Sequence, residues 1–173
     1  TGITDENGTR YATWAYDTNG LVILSEHTDG AEHVELTYNA DETTTVLDTA
    51  GAVKTYTFER HHGLRLPTTI SYQYDNDGQL ETRQKTYTYY SDTGLIETVT
   101  DFIGNTTSFA YNSRGLVTLE TQAVGTPEER TITTEWHPTF NLPTKITEPD
   151  RETVISYDAN GNELSRTITE TAL

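Results

Sequence analysis

One five-residue phrase, slightly varied, recurs along this chain and restricts its possible folds more than any other feature. It reads YDTNG from Tyr16, YDNDG from Tyr74, YSDTG from Tyr90, YNSRG from Tyr111 and YDANG from Tyr157. Without the tyrosine, the pattern D/N-x-x-G also begins at Asp5, Asp48 and Asp101, and TDG at Thr28 is a shortened form. Gly8, Gly20 and Gly30, and again Gly94, Gly104 and Gly115, follow one another at about 10–12 residues, the length of one strand plus one turn. A fixed short period of this kind is the signature of a repeat array, and here it is the period of an antiparallel meander.

The phrase has a physical reading. Asp or Asn at its first polar position can hold the amides of its own turn. Two residues then sit in the right-handed region, and glycine takes the left-handed position that a hairpin with a bulge requires. The tyrosine closes the preceding strand, its ring packing while its hydroxyl finds a partner. The residues carrying this device are Tyr16, Asp17 and Gly20; Tyr74, Asp75 and Gly78; Tyr90 and Gly94, with Ser91 in the aspartate's place; Tyr111, Asn112 and Gly115; and Tyr157, Asp158 and Gly161. Leu21, Leu80, Leu95, Leu116 and Leu164 follow the glycines and are expected to return to the core.

Between turns the pattern alternates with period two. Val34, Leu36 and Tyr38 alternate with Glu35 and Thr37, and Ile70, Tyr72 and Tyr74 with Ser71 and Gln73. Successive strand side chains point to opposite faces, so each segment has one apolar and one polar face. Trp14, Tyr16, Phe109 and Tyr111 read as core positions on that basis. No segment carries a 3.6-residue period. The expected fold is all-β: about a dozen strands in antiparallel hairpins, forming a twisted, curling single-layer sheet. Residues 1–173 read as one array, with lengthened loops at residues 39–46 and 123–130. A longer unit also recurs, LPTTI from Leu66 and LPTKI from Leu142, each preceded by aromatic residues and histidine. Pro67 and Pro143 cannot donate to a ladder and belong at a strand start or on an edge.

Composition narrows function. Hydrophobic residues make up 33% of the 173, yet 11 are tyrosine, too many large rings for a disordered chain. Eleven basic residues against 27 acidic give a net charge of −16, a field that repels nucleic acid and anionic membrane surfaces. Without cysteine there is no thiolate nucleophile or thiolate metal site. No apolar run reaches the length of a membrane-spanning helix, so no membrane insertion is expected.

Chemistry-bearing patterns are weak. Glu128 and Glu129 are adjacent, so on a strand they would face opposite ways and make a poor acid/base pair. Asp75 to Gly78 resembles the start of a calcium loop without the later ligands, and reads as a turn. His27, His33, His61, His62 and His137 lack the spacing that puts two metal ligands on one strand face, and belong at turns or strand starts. There is no G-x-S-x-G elbow and no phosphate-binding glycine loop. No catalytic residue, metal or cofactor is therefore assigned. A Tyr- and Trp-bearing sheet could instead bind glycans, with Trp136 beside His137 and Pro138 as the candidate ring.

The Tyr-Asp-x-x-Gly turns, together with WHPTFNLPTKITEPDRETVISYDANGNELSRT from Trp136, resemble the RHS/YD-repeat proteins. That resemblance covers essentially the whole chain and is loosest from Asn39 to Leu66, where a Tyr-Asp turn is missing. It implies a sheet of hairpins coiling into a hollow shell, as in insecticidal toxin complexes, polymorphic bacterial toxins and teneurins. The shell would belong to a secreted or bacterial cell-surface protein much longer than this fragment, and would enclose or display a C-terminal effector domain. The partners it implies are further repeats and that effector. Free sheet edges add an expectation of self-association by the isolated fragment. The expected role is structural and non-enzymatic; the alternative is an extracellular adhesion or carbohydrate-binding module.

Overall fold

The computed structural model describes residues 1–171, and of Asp75 and Asn76 the backbone alone. It is all-β and antiparallel: fifteen strands lie in one open sheet whose hydrogen-bonded order is their chain order. The chain divides into two compact units, residues 1–86 and 87–173.

The first unit holds β1 (Gly2–Thr4), β2 (Arg10–Tyr16), β3 (Val22–His27), β4 (Val34–Tyr38), β5 (Thr44–Asp48), β6 (Val53–His61), β7 (Leu64–Asn76) and the start of β8 (Gln79–Tyr89). The second holds the end of β8, then β9 (Ile96–Thr100), β10 (Thr106–Tyr111), β11 (Val117–Gln122), β12 (Arg130–Trp136), β13 (Pro143–Thr147), β14 (Arg151–Tyr157) and β15 (Glu163–Glu170). The sole helical element among the described residues is a single 3₁₀ turn at Thr28–Gly30.

Cross-strand register sorts the side chains by face, because residues paired directly across a ladder share one side of the sheet. In the first unit Tyr56 pairs with Ile70, and Lys54 with Tyr72, which pairs in turn with Arg83. The opposite face carries Thr45 opposite Thr55 and Thr57 opposite Thr69. In the second unit Ser108 faces Thr98 on one side and Thr121 on the other, and Thr100 and Thr106 join hydroxyls at 2.8 Å. The threonine excess thus supplies β-branched side chains suited to a pleated surface, together with hydroxyls that satisfy one another.

A single layer buries little. Among the described residues Ala12, Thr44, Thr153 and Ile155 alone are buried. Trp14, Phe109 and Tyr111 are half-buried and Tyr16 is 49% exposed, so the expected core positions form an apolar face instead of an interior. Leu95 and Leu116 are half-buried as well, whereas Leu21, Leu80 and Leu164 are exposed, Leu80 at 74%. These leucines leave a turn at the margin of the sheet, where no second layer covers them.

Two further expectations change. Residues 39–46 are not a lengthened loop. Asn39 to Thr43 forms an ordinary tight turn in which Glu42, at φ 65°, occupies the place that glycine takes elsewhere. Pro67 lies inside β7, opposite Phe58 at a register shift between Thr57 and Phe58, where the absent proline donor is tolerated. Pro143 opens β13 opposite Trp136, again at a register shift. Residues 123–129 do form a longer connection, between β11 and β12.

Candidate functional site

Among the described residues six turns share one backbone and side-chain hydrogen-bond pattern, starting at Asp5, Asp17, Asp48, Asp101, Asn112 and Asp158, and the Asn39 turn shares its backbone half. At Asp17 the backbone amide donates to the Leu21 carbonyl (2.8 Å) and Gly20 donates back to the Asp17 carbonyl (3.1 Å). Meanwhile Asp17 Oδ1 accepts from the amides of Asn19 and Leu21, both at 2.8 Å. Asn112 does the same with an amide oxygen, accepting from Arg114 (2.9 Å) and Leu116 (3.1 Å). The Leu21 amide lowers the Asp17 pKa most, and the Asn162 side chain does so for Asp158, because both donors favour the ionised carboxylate.

The tyrosines, by contrast, mark one series of turns. Tyr16, Tyr38, Tyr111, Trp136 and Tyr157 end β2, β4, β10, β12 and β14, and Tyr90 follows β8 directly. The Asp5, Asp48 and Asp101 turns, which leave odd-numbered strands, carry no such ring. At Tyr16, Tyr111, Trp136 and Tyr157 the strand register slips by a residue, pairing them with Val22, Val117, Pro143 and Glu163. Three rings then reach across to the first residue of the preceding strand. Tyr38 Oη donates to the Val22 carbonyl (2.9 Å), Trp136 Nε1 to Val117 (2.7 Å) and Tyr157 Oη to Pro143 (2.8 Å). Each ring therefore locks a turn to the one before it.

Two sequence phrases depart from this device. In YDNDG, Asp75 pairs with Leu80 inside the ladder and the turn is the two residues Asp77 and Gly78, at φ 54° and 82°. Both left-handed positions make it a tight type I′ hairpin. It follows an odd-numbered strand, outside the ring series. The capping role expected of the Asp75 side chain lies outside the described residues. In YSDTG it is Tyr90, not Ser91, whose amide and carbonyl close the turn, with Leu95 (2.9 Å) and Gly94 (2.8 Å).

In the second unit the ring-bearing turns interlock. Leu95 lies against Gly115. Arg114 donates to the carbonyls of His137 (2.6 Å) and Phe140 (3.3 Å), clamping the loop between β12 and β13. His137 Nδ1 accepts the amides of Thr139 (3.2 Å) and Phe140 (3.1 Å), and its ring stacks on Phe140 at 4.9 Å. Phe140 and Leu142 in turn abut Gly161, where an added Cβ would lie 3.4 Å from Leu142 Cδ1. Trp136 is half-buried, with its N–H committed to Val117.

Chemically this arrangement holds geometry. Among the described residues no group of three or more His, Asp or Glu side chains converges as a metal site would. His33, between Glu26 (2.9 Å) and Glu35 (3.1 Å), is held above its ordinary pKa, chiefly by the Glu26 hydrogen bond. Val117, Arg114 and Glu42 have no direct signal in the sequence, since a carbonyl acceptor, a backbone clamp and a left-handed glutamate leave no motif. Tyr38 carries one: it precedes Asn39 as tyrosine precedes aspartate elsewhere, hidden by the missing glycine.

No protein-family profile matches the sequence. No curated protein matches it either. Among solved structures the chain is similar to TcdB2-TccC3, with a TM-score of 0.71 at 14% identity over 93% of this chain and 9% of that one. It is likewise similar to TcdB2-TccC3 without its hypervariable C-terminal region, with a TM-score of 0.70 at 13% identity and the same coverage. The likeness is one of fold, and this chain spans 9% of the length of those chains.

Proposed function

We propose that this chain is a section of wall from an RHS/YD-repeat shell: a non-enzymatic scaffold, within a longer secreted or bacterial cell-surface protein, that encloses or displays a toxin-type effector domain. The observation that carries this reading is the ring-locked series of turns. Tyr38, Trp136 and Tyr157 each tie one hairpin to its predecessor, which stiffens a sheet that has almost no interior of its own. The fold likeness to a small part of the TcdB2-TccC3 chains supports it.

A wall needs neighbours more than it needs a pocket. Each hairpin chiefly contacts the next, so stability accumulates along the array, and the half-buried apolar face gains most where it meets further protein. The test is limited proteolysis of the native protein, followed with antibody against this segment and against whatever lies C-terminal to it. Joint protection of both, lost together on mild denaturation, is the expected result. A C-terminal flank digested while this segment stays intact would refute enclosure.

A further inference from the structure

The chain has 11 basic residues, and five of them, Lys54, Arg60, Arg65, Arg83 and Lys85, share one face of β6, β7 and β8. Direct pairing puts Arg60 opposite Arg65, Ile70 opposite Lys85, and Tyr72 between Lys54 and Arg83. Tyr56 and Phe58 join the same face opposite Ile70 and Pro67, and Tyr74 joins it opposite Glu81. All lie within the first unit. Among the described residues Glu81 is the sole acidic side chain on that face of the three strands, and it accepts the Tyr74 hydroxyl. A chain of net charge −16 thus keeps a cationic patch.

Cations elsewhere find counter-charges. Lys145 pairs with Glu152 and Arg166 with Glu163, each at 2.9 Å, and Arg151 pairs with Glu148. Lys54, Arg60, Arg65 and Arg83 enter no ion pair among the described residues, although the chain holds 27 acidic residues. Like charges directly opposite on a ladder are destabilising, so the Arg60–Arg65 pairing carries a cost that an anion laid across it would offset.

Two of these guanidinium groups are held on rings. Arg65 lies over Phe58 at 4.4 Å while Nη2 donates to the Glu42 carbonyl. Arg83 lies over Tyr74 at 4.9 Å, and its Nε donates to the Tyr74 hydroxyl at 3.2 Å. A guanidinium has five N–H donors in a fixed fork, so each keeps donors for a carboxylate with little freedom left to lose. The stacking also covers ring faces that a sugar would need, which favours carboxylates on an extended chain over a pyranose. From Arg65 to Tyr72 along β7 is roughly 20 Å, the reach of about seven extended residues.

We infer that this face of β6–β8 binds an extended, carboxylate-rich peptide segment of about seven residues. Its Asp or Glu side chains meet Arg60 and Arg65 at one end and Lys54 and Arg83 at the other. Its apolar residues pack on the half-buried Tyr56, Ile70 and Tyr72 between them. A short segment carries few charges, and salt screens the chain's own field beyond about 8 Å, so repulsion opposes it far less than it opposes nucleic acid. The inference goes beyond the wall reading and does not depend on it, since the patch lies in strands internal to this sequence.

The test titrates the full chain with the synthetic peptide GEVEYEVEG and follows backbone amide shifts by NMR. Shifts confined to β6, β7 and β8 are expected, with affinity falling as salt rises from about 20 to about 200 mM. Replacing every peptide glutamate with glutamine, which leaves the protein untouched, should weaken binding roughly tenfold or more. The double variant Arg65→Gln, Arg83→Gln should weaken it by a similar factor, whereas Arg166→Gln should leave it unchanged. Absence of shifts at millimolar peptide in low salt, shifts located away from these strands, or equal binding of the glutamine peptide would each overturn the inference. Tighter binding of a sulfated oligosaccharide of the same charge would overturn it in favour of a glycan site.

Discussion

The indole N–H of Trp136 lies 2.7 Å from the carbonyl oxygen of Val117, the residue that opens the neighbouring strand. Tyr157 repeats the relation one hairpin later with Pro143, and Tyr38 makes it with Val22 in the first unit. A side chain fixed in this way does little to recruit a ligand and much to hold two turns at one spacing.

Replacing Trp136 with phenylalanine keeps a ring while deleting the donor. The expected cost is about 1 kcal/mol for the hydrogen bond plus roughly 1 kcal/mol for the lost half-buried ring area, whereas Tyr157→Phe, which deletes the hydroxyl alone, should cost about 1 kcal/mol. Urea unfolding of each variant measures it. If Trp136→Phe were neutral while a glycan titration quenched Trp136 fluorescence in the parent chain, the ring would be a binding surface instead.

Glycine positions separate backbone strain from packing. Gly104, at φ 94°, has open space where a methyl group would go, so Gly104→Ala should cost about 1 kcal/mol from the left-handed backbone alone. Gly161→Ala should cost a similar amount, because at φ 86° the backbone is equally left-handed while the added methyl would make ordinary van der Waals contacts with Leu142 and Phe140. Glu42→Gly runs the other way, relieving a left-handed glutamate at φ 65° by roughly 0.5–1 kcal/mol. Thermal melts should place Glu42→Gly above the parent chain and both Gly104→Ala and Gly161→Ala below it.

Much of this architecture is legible in the residues. Alternation at Val34, Leu36 and Tyr38 marks a strand, and Asp17-x-x-Gly20 marks a turn, because both depend on local chemistry. What lies beyond local chemistry is less visible. Glu42 fills a glycine's place because the surrounding ladder from Tyr38 to Thr44 imposes the conformation. Tyr74 opens a phrase of the same form as the one at Tyr157 but lies inside β7, two residues before its end at Asn76, because the ladder with β8 continues through Asp75 and Asn76. The exposure of Leu80 and Leu164 likewise follows from the absence of a second layer, which no single segment reveals.

Acid should loosen the turns. Asp17, with its carboxylate held low chiefly by the Leu21 amide, and Asp158, held low chiefly by the Asn162 side chain, stabilise the fold fully above their ordinary value of 3.8. That contribution is lost as pH falls through their lowered folded-state values. Because Asn112 performs the same capping with an uncharged amide, the double variant Asp17→Asn, Asp158→Asn should keep its turns and show a shallower fall in urea midpoint below about pH 4. His33 acts in the opposite sense. Its raised pKa contributes stability that is complete below its ordinary 6.5 and lost as pH rises through the folded-state value above it, so His33→Gln should remove a fall in stability that sets in above about pH 6.5.

Arg114 spans two turns through the carbonyls of His137 and Phe140. Arg114→Met retains the aliphatic stem and removes both bonds. Amides of residues 137–142 should then exchange several-fold faster while those of the first unit are unchanged, a contrast that hydrogen exchange reads directly.

The most direct measurement of the central claim is an image of the native protein that carries this sequence, captured with antibody against the segment and viewed by single-particle electron microscopy. The wall reading predicts a chain several times larger than 19.4 kDa, folded as a hollow β shell with these fifteen strands in its side and density enclosed within. A native particle of this size, or a longer protein in which the segment stands apart as a separate domain with no cavity behind it, would contradict that account.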